Sequence, residues 1–459
     1  MKGIILGLFT VLLVGAVYFS LQRILFCDAS LILFRIINYH SFQIQEHRYG
    51  SFITQFIPLI AAQLHLPLHM IVVLYSISFN MFYLGVALIL IFRYRQIRLA
   101  LLMAFYFVLF VSDTYFWTNN EVHQGIAWMF LCFGTYNYLK ETNKSWMLII
   151  PFFTILSFLA LFTHPLVVFP CIFLWIFFLH RKEPISGKKL SILLSLILLV
   201  ICFLKYRTST DTSGFYDAEK LNVFNDLKFS DLIHSFTSPM AKQIFYRCLS
   251  NYWLVPLLFF TGIYSTIRQK QYAVVILTLV FCVVYFMAVC LTFQDFIPFY
   301  MESEWMPLSI IATTPFVCYT LPQWKPRTGI AVITIIFLIR LTYIFFASEK
   351  FTERKDTLFS LLKKMDSEHL NKGIIYANDN YNKIFIMNWG VPAESILASA
   401  FRHDHPQKNF VFLPLPDTTV KIPSDPHILI VPFRTMHDSD LNKRYFEIDT
   451  SEGYRVLKD

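Results

Sequence analysis

The chain has 459 residues, of which 56% are hydrophobic, 18% aromatic and only 15% charged, with a net charge of +9. No soluble globular fold needs that much apolar surface. The basic residues never gather into a tract with interleaved aromatics, so the positive charge reads as membrane-topology bias and nucleic acid is not an expected partner.

Eleven apolar stretches are long enough to suggest membrane spans, since a bilayer core takes about 17–25 apolar residues. They lie near 3–25, 68–92, 97–112, 122–139, 146–163, 165–180, 189–206, 251–267, 272–293, 304–321 and 328–347. Every second connection is basic, beginning at Lys2 and continuing through Arg93/Arg95/Arg98, Lys140/Lys144, Arg181/Lys182/Lys188/Lys189, Arg268/Lys270 and Lys325/Arg327. Lys/Arg-rich loops mark the cytoplasmic side. The expected topology therefore starts inside and emerges outside after Ala347. The first span is too long for a signal h-region and no A-x-A site follows it, so it reads as a retained anchor. The eight cysteines form no disulfide framework, because six of them fall within apolar spans. The 49 phenylalanines suit a membrane interface or a lipid-binding groove.

The unusual polar sequence lies on the expected outer side. Phe26–Pro67 is long for a helix connection and holds two amphipathic pieces, about 29–38 and 51–64, of the kind that lie in an interface. Asp28 stands where the chain leaves the first span. An acid there is solvated, caps the helix at 29–38, or is put to use. Glu46-His47-Arg48-Tyr49-Gly50 adds an acid, two cations and a hinge; Arg48 has the fork geometry for a phosphate and equally suits a lipid headgroup.

The second outer segment, Ser112–Gly125, contains Trp117, Asn119, Asn120, Glu121, His123 and Gln124. Amides, an acid, an imidazole and an aromatic platform are what a sugar site uses. The plainer reading is a polar interhelical turn. His164, in a Thr-His-Pro turn, polarises a ligand or caps locally. The fourth outer segment, 207–250, carries an STDTSG run, a helix near 229–249 and spare cations at Arg207, Lys242 and Arg247. The fifth, QDFIPFYMESEW, brings Glu302 and Glu304, which bind a substrate cation, favour a helix N-terminus or are simply solvated. Arg340 interrupts the last span roughly 10 Å below its outer end; it snorkels or binds an anion.

After Ala347 the composition turns charged. A helix at 353–369, strands at 373–377, 409–413 and 427–431, and a helix near 393–402 describe a small α/β domain. The division is 1–349, a transmembrane domain, and 350–459, an outer domain. Asn378-Asp379-Asn380 and His403-Asp404-His405 read as surface turns. There is no Walker loop, G-x-G-x-x-G, H-E-x-x-H or Cys/His cluster with metal spacing. Without a nucleotide module, sugar transfer outside would need a preactivated, lipid-linked phosphosugar donor.

At this point the chain resembles the integral-membrane GT-C glycosyltransferases that use polyprenyl-phosphate sugars, among them the lipid A aminoarabinose transferase and the protein O-mannosyltransferases. The likeness spans the architecture and is densest in the first 125 residues. Asp28 matches the acid after the first helix, Ala29–His65 the long outer loop with two interface helices, and Glu121 the acid before the fourth helix. Many relatives carry two adjacent acids at the first site; here Cys27 precedes Asp28.

The resemblance implies a polytopic α-helical fold and a sugar moved from a polyprenyl-phosphate donor to a lipid, glycan or protein acceptor. Asp28 would be the base, and Glu121 would orient the acceptor, share the proton work or help bind a divalent cation. Glu46, His47, Arg48, Trp117, Asn120, His123, Gln124, His164, Glu302, Glu304 and Arg340 would bind substrate, with Arg48 and Arg340 toward the lipid phosphate. A bacterial inner membrane with a periplasmic site is the expected location. The competing readings are an O-antigen or capsule polymerase, disfavoured by the acid that opens the first outer loop, and a lipid-linked sugar flippase, disfavoured by the lack of an internal repeat.

Overall fold

The computed structural model describes residues 1–179, 185–210, 216–293, 300–414 and 422–457. Arg181 and Lys182, residues 211–214 of the STDTSG run and residues 294–299 of the fifth outer segment lie outside the described residues.

Helices dominate. Five among the described residues are long and apolar enough to cross a membrane: Leu68–Arg93, Trp146–Thr163, Lys188–Thr210, Tyr272–Thr292 and the apolar part of Pro326–Ser367. Shorter apolar helices occupy Lys2–Tyr18, Ile97–Leu109, Pro165–Leu179 and Leu254–Arg268. On Lys188–Thr210, Ile192, Leu196, Leu199 and Phe203 are all exposed along one helical face. Water would penalise such a stripe, whereas lipid does not. This is the make-up of a helical membrane protein.

The first apolar stretch is not one helix. Lys2–Tyr18 ends at Phe19, and a short helix, Ser20–Ile24, carries Arg23 into the interior. There Arg23 donates to Ser76 Oγ at 3.0 Å, to Asn80 Oδ1 at 2.9 Å and to the Tyr115 carbonyl. A buried guanidinium needs that saturation. The two amphipathic pieces of the first outer segment form the helices Cys27–Tyr39 and Phe52–Gln63. The helix expected near 229–249 is broken into Phe229–Ser235 and Pro239–Leu249, with Ser238 capping the second through Ala241 N–H at 3.1 Å and Pro239 at its first position.

The last apolar helix runs almost directly into Ser348–Ser367, the change from apolar to charged falling at Ala347. Beyond it, β1 (Lys372–Tyr376) pairs in parallel with β2 (Asn409–Leu413), Lys372 opposite Asn409, and on its other side with the two residues of β5 (Arg455–Val456). A hairpin of β3 (Ile428–Val431) and β4 (Arg434–His437) stands beside this sheet. The helix Val391–Phe401 crosses between β1 and β2 and is buried from Val391 to Ala400, packed between β2 and the helix Cys27–Tyr39. Asn442 bonds the Asn38 side chain and the Ile37 carbonyl, and Tyr445 donates to the Leu66 carbonyl at 2.9 Å. The C-terminal part is thus clamped onto the first outer segment.

Candidate functional site

Asp28 is placed by an unusual backbone. Cys27 has φ 43°, a conformation that residues other than glycine adopt only when their surroundings impose it. Glu394 accepts the Cys27 N–H at 2.8 Å, Ser30 Oγ donates to the Cys27 carbonyl at 2.7 Å, and the Cys27 thiol points at the Met387 carbonyl. Gly390 permits the approach, since a Cβ there would lie 2.7 Å from Cys27 Cα. The helix begins at Cys27, so Asp28 is a first-turn residue and not its cap, one of the three readings the sequence leaves open. A carboxylate in that turn meets the positive end of the helix dipole.

Glu121 starts its helix, Glu121–Glu141, because Asn120 caps it by accepting the Val122 N–H at 3.0 Å. The loop before it is tied to the end of the first apolar stretch, Thr118 Oγ1 donating to the Arg23 carbonyl at 3.0 Å. Arg48 comes from the first outer segment, whose tight packing depends on Gly50: a Cβ there would lie 2.6 Å from the Leu159 carbonyl, and Trp128 donates to the Gly50 carbonyl at 3.0 Å.

These elements enclose a cavity of about 720 Å³. Asp28, Glu121, Glu46, Arg48, Trp117, Asn120, His164 and Glu304 all line it. Arg48 is the hub of its charges: its guanidinium lies 3.1 Å from Glu121, 2.8 Å from Asp217 and 3.6 Å from Glu46. Lys205 adds a second contact to Asp217 at 3.4 Å. Glu46 also accepts the N–H groups of Tyr216 and Asp217, at 3.0 and 3.1 Å, joining the first outer segment to the fourth.

The electrostatics separate these acids. Burial and the nearby Glu121 carboxylate push Asp28 up to about 7, with Arg48 and Trp117 acting in the opposite direction. Burial also raises Glu121, which Arg48 partly offsets. Burial acts to raise Asp217 too, yet Arg48, His164 and Lys205 hold it down at about 2. Burial, reinforced by Arg48, lowers the His164 imidazole to about 3, so it is neutral at pH 7. Its Nδ1 accepts the Leu166 N–H at 3.2 Å, which leaves the proton on Nε2. Among the described residues, both side-chain oxygens of Glu304 are buried without a hydrogen-bond partner. Such a group awaits a proton or a cation.

The remaining sequence candidates lie elsewhere. His47 meets the Tyr49 ring edge-on at 6.1 Å and is not among the residues lining the cavity. His123 faces inward onto rings, 5.1 Å from Phe107 and 5.4 Å from Tyr106. Gln124 is buried and accepts from Thr54 Oγ1 at 2.9 Å. Glu302 accepts the Ser112 and Thr114 N–H groups at 2.9 and 2.8 Å and the Tyr252 hydroxyl at 2.5 Å, which holds the second outer loop. Arg340 neither snorkels nor faces the cavity: it is fully buried and donates to the carbonyls of Val108, Asn251 and Val111 and to Ser112 Oγ. Arg48, a candidate for a phosphate or a lipid headgroup, lines the cavity beside the carboxylates of Glu121, Asp217 and Glu46.

Sequence reasoning missed Asp217, which looks like any acid in a short amphipathic helix, and the wall residues Tyr300, Met387, Trp389 and Phe433. It also missed the pair behind Cys27, in which Arg354 grips both Glu394 oxygens at 2.7 and 3.0 Å. Glu394 carried no sequence signal beyond its place in a helix.

Chemically, the cavity joins a carboxyl group poised near neutrality to a second acid, a fixed neutral imidazole and an aromatic wall of Trp117, Tyr300, Trp389 and Phe433. Its acidic oxygens suit a hard divalent cation better than a soft one. The chain matches no family model, and none of the curated proteins or solved structures compared with it matches.

Proposed function

We propose that the protein is a GT-C-type glycosyltransferase that moves a sugar from a polyprenyl-phosphate donor to an acceptor on the outer face of a bacterial inner membrane. On this reading the eleven apolar stretches all span, the N-terminus lies inside, and residues 350–459 form an outer domain over the site. The observation that carries the proposal is the cavity shared by Asp28 and Glu121, in which Asp28 is raised to about 7. A general base works best with a pKa near the operating pH.

Asp28 takes the proton of the acceptor hydroxyl as its oxygen attacks the anomeric carbon. The bond from that carbon to the lipid phosphate oxygen breaks, the polyprenyl phosphate leaves as its anion, and configuration inverts. Glu121 keeps Asp28 basic and orients the acceptor. The aromatic wall offers faces for a sugar ring, and Glu304 meets a cationic group of the substrate or a bound divalent cation.

The test is reconstitution into liposomes with a radiolabelled polyprenyl-phosphate sugar. Transfer by the wild type that is lost in Asp28→Asn supports the proposal. Movement of the lipid across the bilayer without transfer favours a flippase, and full transfer by Asp28→Asn removes the base assignment. Labelling of single cysteines beyond Ala347 from the cytosolic side overturns the topology.

A further inference from the structure

The C-terminal hairpin holds a constellation that the cavity chemistry does not use. Antiparallel pairing of β3 with β4 sets Ile428 opposite His437, so that His427 and His437 meet at the open end of the hairpin. Their rings stack at 5.5 Å with planes 10° apart. Asp438 follows on the same strand end, and its backbone N–H donates to the His427 carbonyl at 2.9 Å, which fixes the two chain ends together.

One Asp438 oxygen lies 3.3 Å from His427 Nδ1 and 3.1 Å from His437 Nδ1, and the three ligand atoms all lie within 4.8 Å of one another. Zinc–nitrogen and zinc–oxygen bonds of about 2.0–2.1 Å arranged tetrahedrally put neighbouring donors about 3.3–3.4 Å apart. The two nitrogen–oxygen separations are close to that edge. Two imidazoles and a carboxylate form a donor set suited to zinc.

We propose that His427, His437 and Asp438 form a divalent-metal site that takes Zn²⁺ and staples the β3–β4 hairpin. A fourth position is open to water, because both histidines are exposed. Binding takes the His437 Nδ1 lone pair from Ser439, whose N–H and hydroxyl lie 3.1 and 2.8 Å away and are free to turn to solvent. The neighbouring Lys443 contacts the other Asp438 oxygen, at 3.5 Å, and leaves the metal-facing one clear. The hairpin's opposite end presents Phe433 to the cavity, so the staple stiffens one wall of that cavity from outside it. A ligand that binds the folded state raises its stability by mass action.

The test uses the full chain in detergent, freed of any affinity tag, stripped with chelator and titrated with Zn²⁺ alone. One equivalent should bind and the melting temperature should rise. His427→Ala with His437→Ala should lose both the stoichiometric binding and the shift, while His403→Ala with His405→Ala should keep them. Asp438→Asn should weaken binding about tenfold or more. Absence of a stoichiometric equivalent in the wild type, or binding that survives the His427/His437 double replacement, overturns the site. Because the readout is metal occupancy, its failure leaves the glycosyltransferase proposal untouched.

Discussion

Glu394 accepts the backbone N–H of Cys27 at 2.8 Å, so the C-terminal part of the chain holds the residue immediately before Asp28. Arg354 in turn grips Glu394, and both side chains are sealed from solvent. Breaking a buried pair from one side costs about 3–5 kcal/mol, because the partner's charge is left without compensation. Glu394→Gln should therefore lower stability by about that amount in chemical denaturation. It should also reduce transfer per folded molecule, since Cys27 loses its charged acceptor. A variant as stable and active as the wild type would show that the clamp does not position Asp28.

Asp28 and Glu121 are coupled by repulsion, and the sign of that coupling can be measured. On the proposed mechanism the working base is the Asp28 carboxylate, present above a pKa of about 7. Transfer should rise with pH through about 7 and then level, falling about tenfold per unit on the acid side. Asp28→Asn should cost about 10²–10⁴-fold in kcat. Glu121→Gln removes the neighbouring negative charge and should move the acid limb of the residual activity to lower pH. A limb that stays fixed in Glu121→Gln would mean another group sets the profile.

Much of this architecture was legible because its signals are local. Hydrophobic runs gave the long helices, and helical periodicity gave the pieces at 29–38 and 51–64 to within a few residues of the helices that form. Asp28, Glu121 and Glu304 could be nominated because a polar residue at the edge of an apolar span is expensive. What stayed hidden depends on pairing between distant residues. Glu394 meets Cys27 from 367 positions away, and Asp217 meets Arg48 from 169. The His427–His437–Asp438 cluster, absent from any local metal motif, exists only because β3 and β4 pair in one register. The surroundings of Arg340 were hidden for a related reason: its depth was readable, but the carbonyls that take its donors belong to distant segments of the chain.

Arg48 sets the ionisation of the acids around it. Burial opposes the Asp217 carboxylate, yet Arg48, with help from His164 and Lys205, brings it from 3.8 in the unfolded chain to about 2. A depressed carboxyl pKa stabilises the fold above the unfolded value, and that contribution fades as pH falls toward the folded value. Arg48→Met should cost up to about 2 kcal/mol through Asp217 alone. The Asp217 part of the stability gap to wild type should be full above pH 4 and should narrow as pH drops from 4 toward 2. Urea denaturation across that range checks it, and a gap independent of pH would assign the Arg48 contribution to packing.

Arg340 separates a structural cation from a phosphate ligand. Its bonds to Val108, Asn251, Val111 and Ser112 use the guanidinium at 2.9, 2.6, 3.0 and 3.1 Å, inside the helix bundle. Removing such donors takes a partner from the Asn251 and Val111 carbonyls, while the Val108 carbonyl keeps the Val111 N–H, at about 1–3 kcal/mol for each group stranded. Arg340→Gln keeps fewer donors on a shorter, uncharged side chain. It should lower the denaturation midpoint while leaving KM for the proposed polyprenyl-phosphate donor unchanged in the folded fraction. Arg340→Lys should fare little better, since a single ammonium cannot span acceptors held by a planar fork. A donor KM that rises with no loss of stability would return Arg340 to the phosphate and remove it from the scaffold.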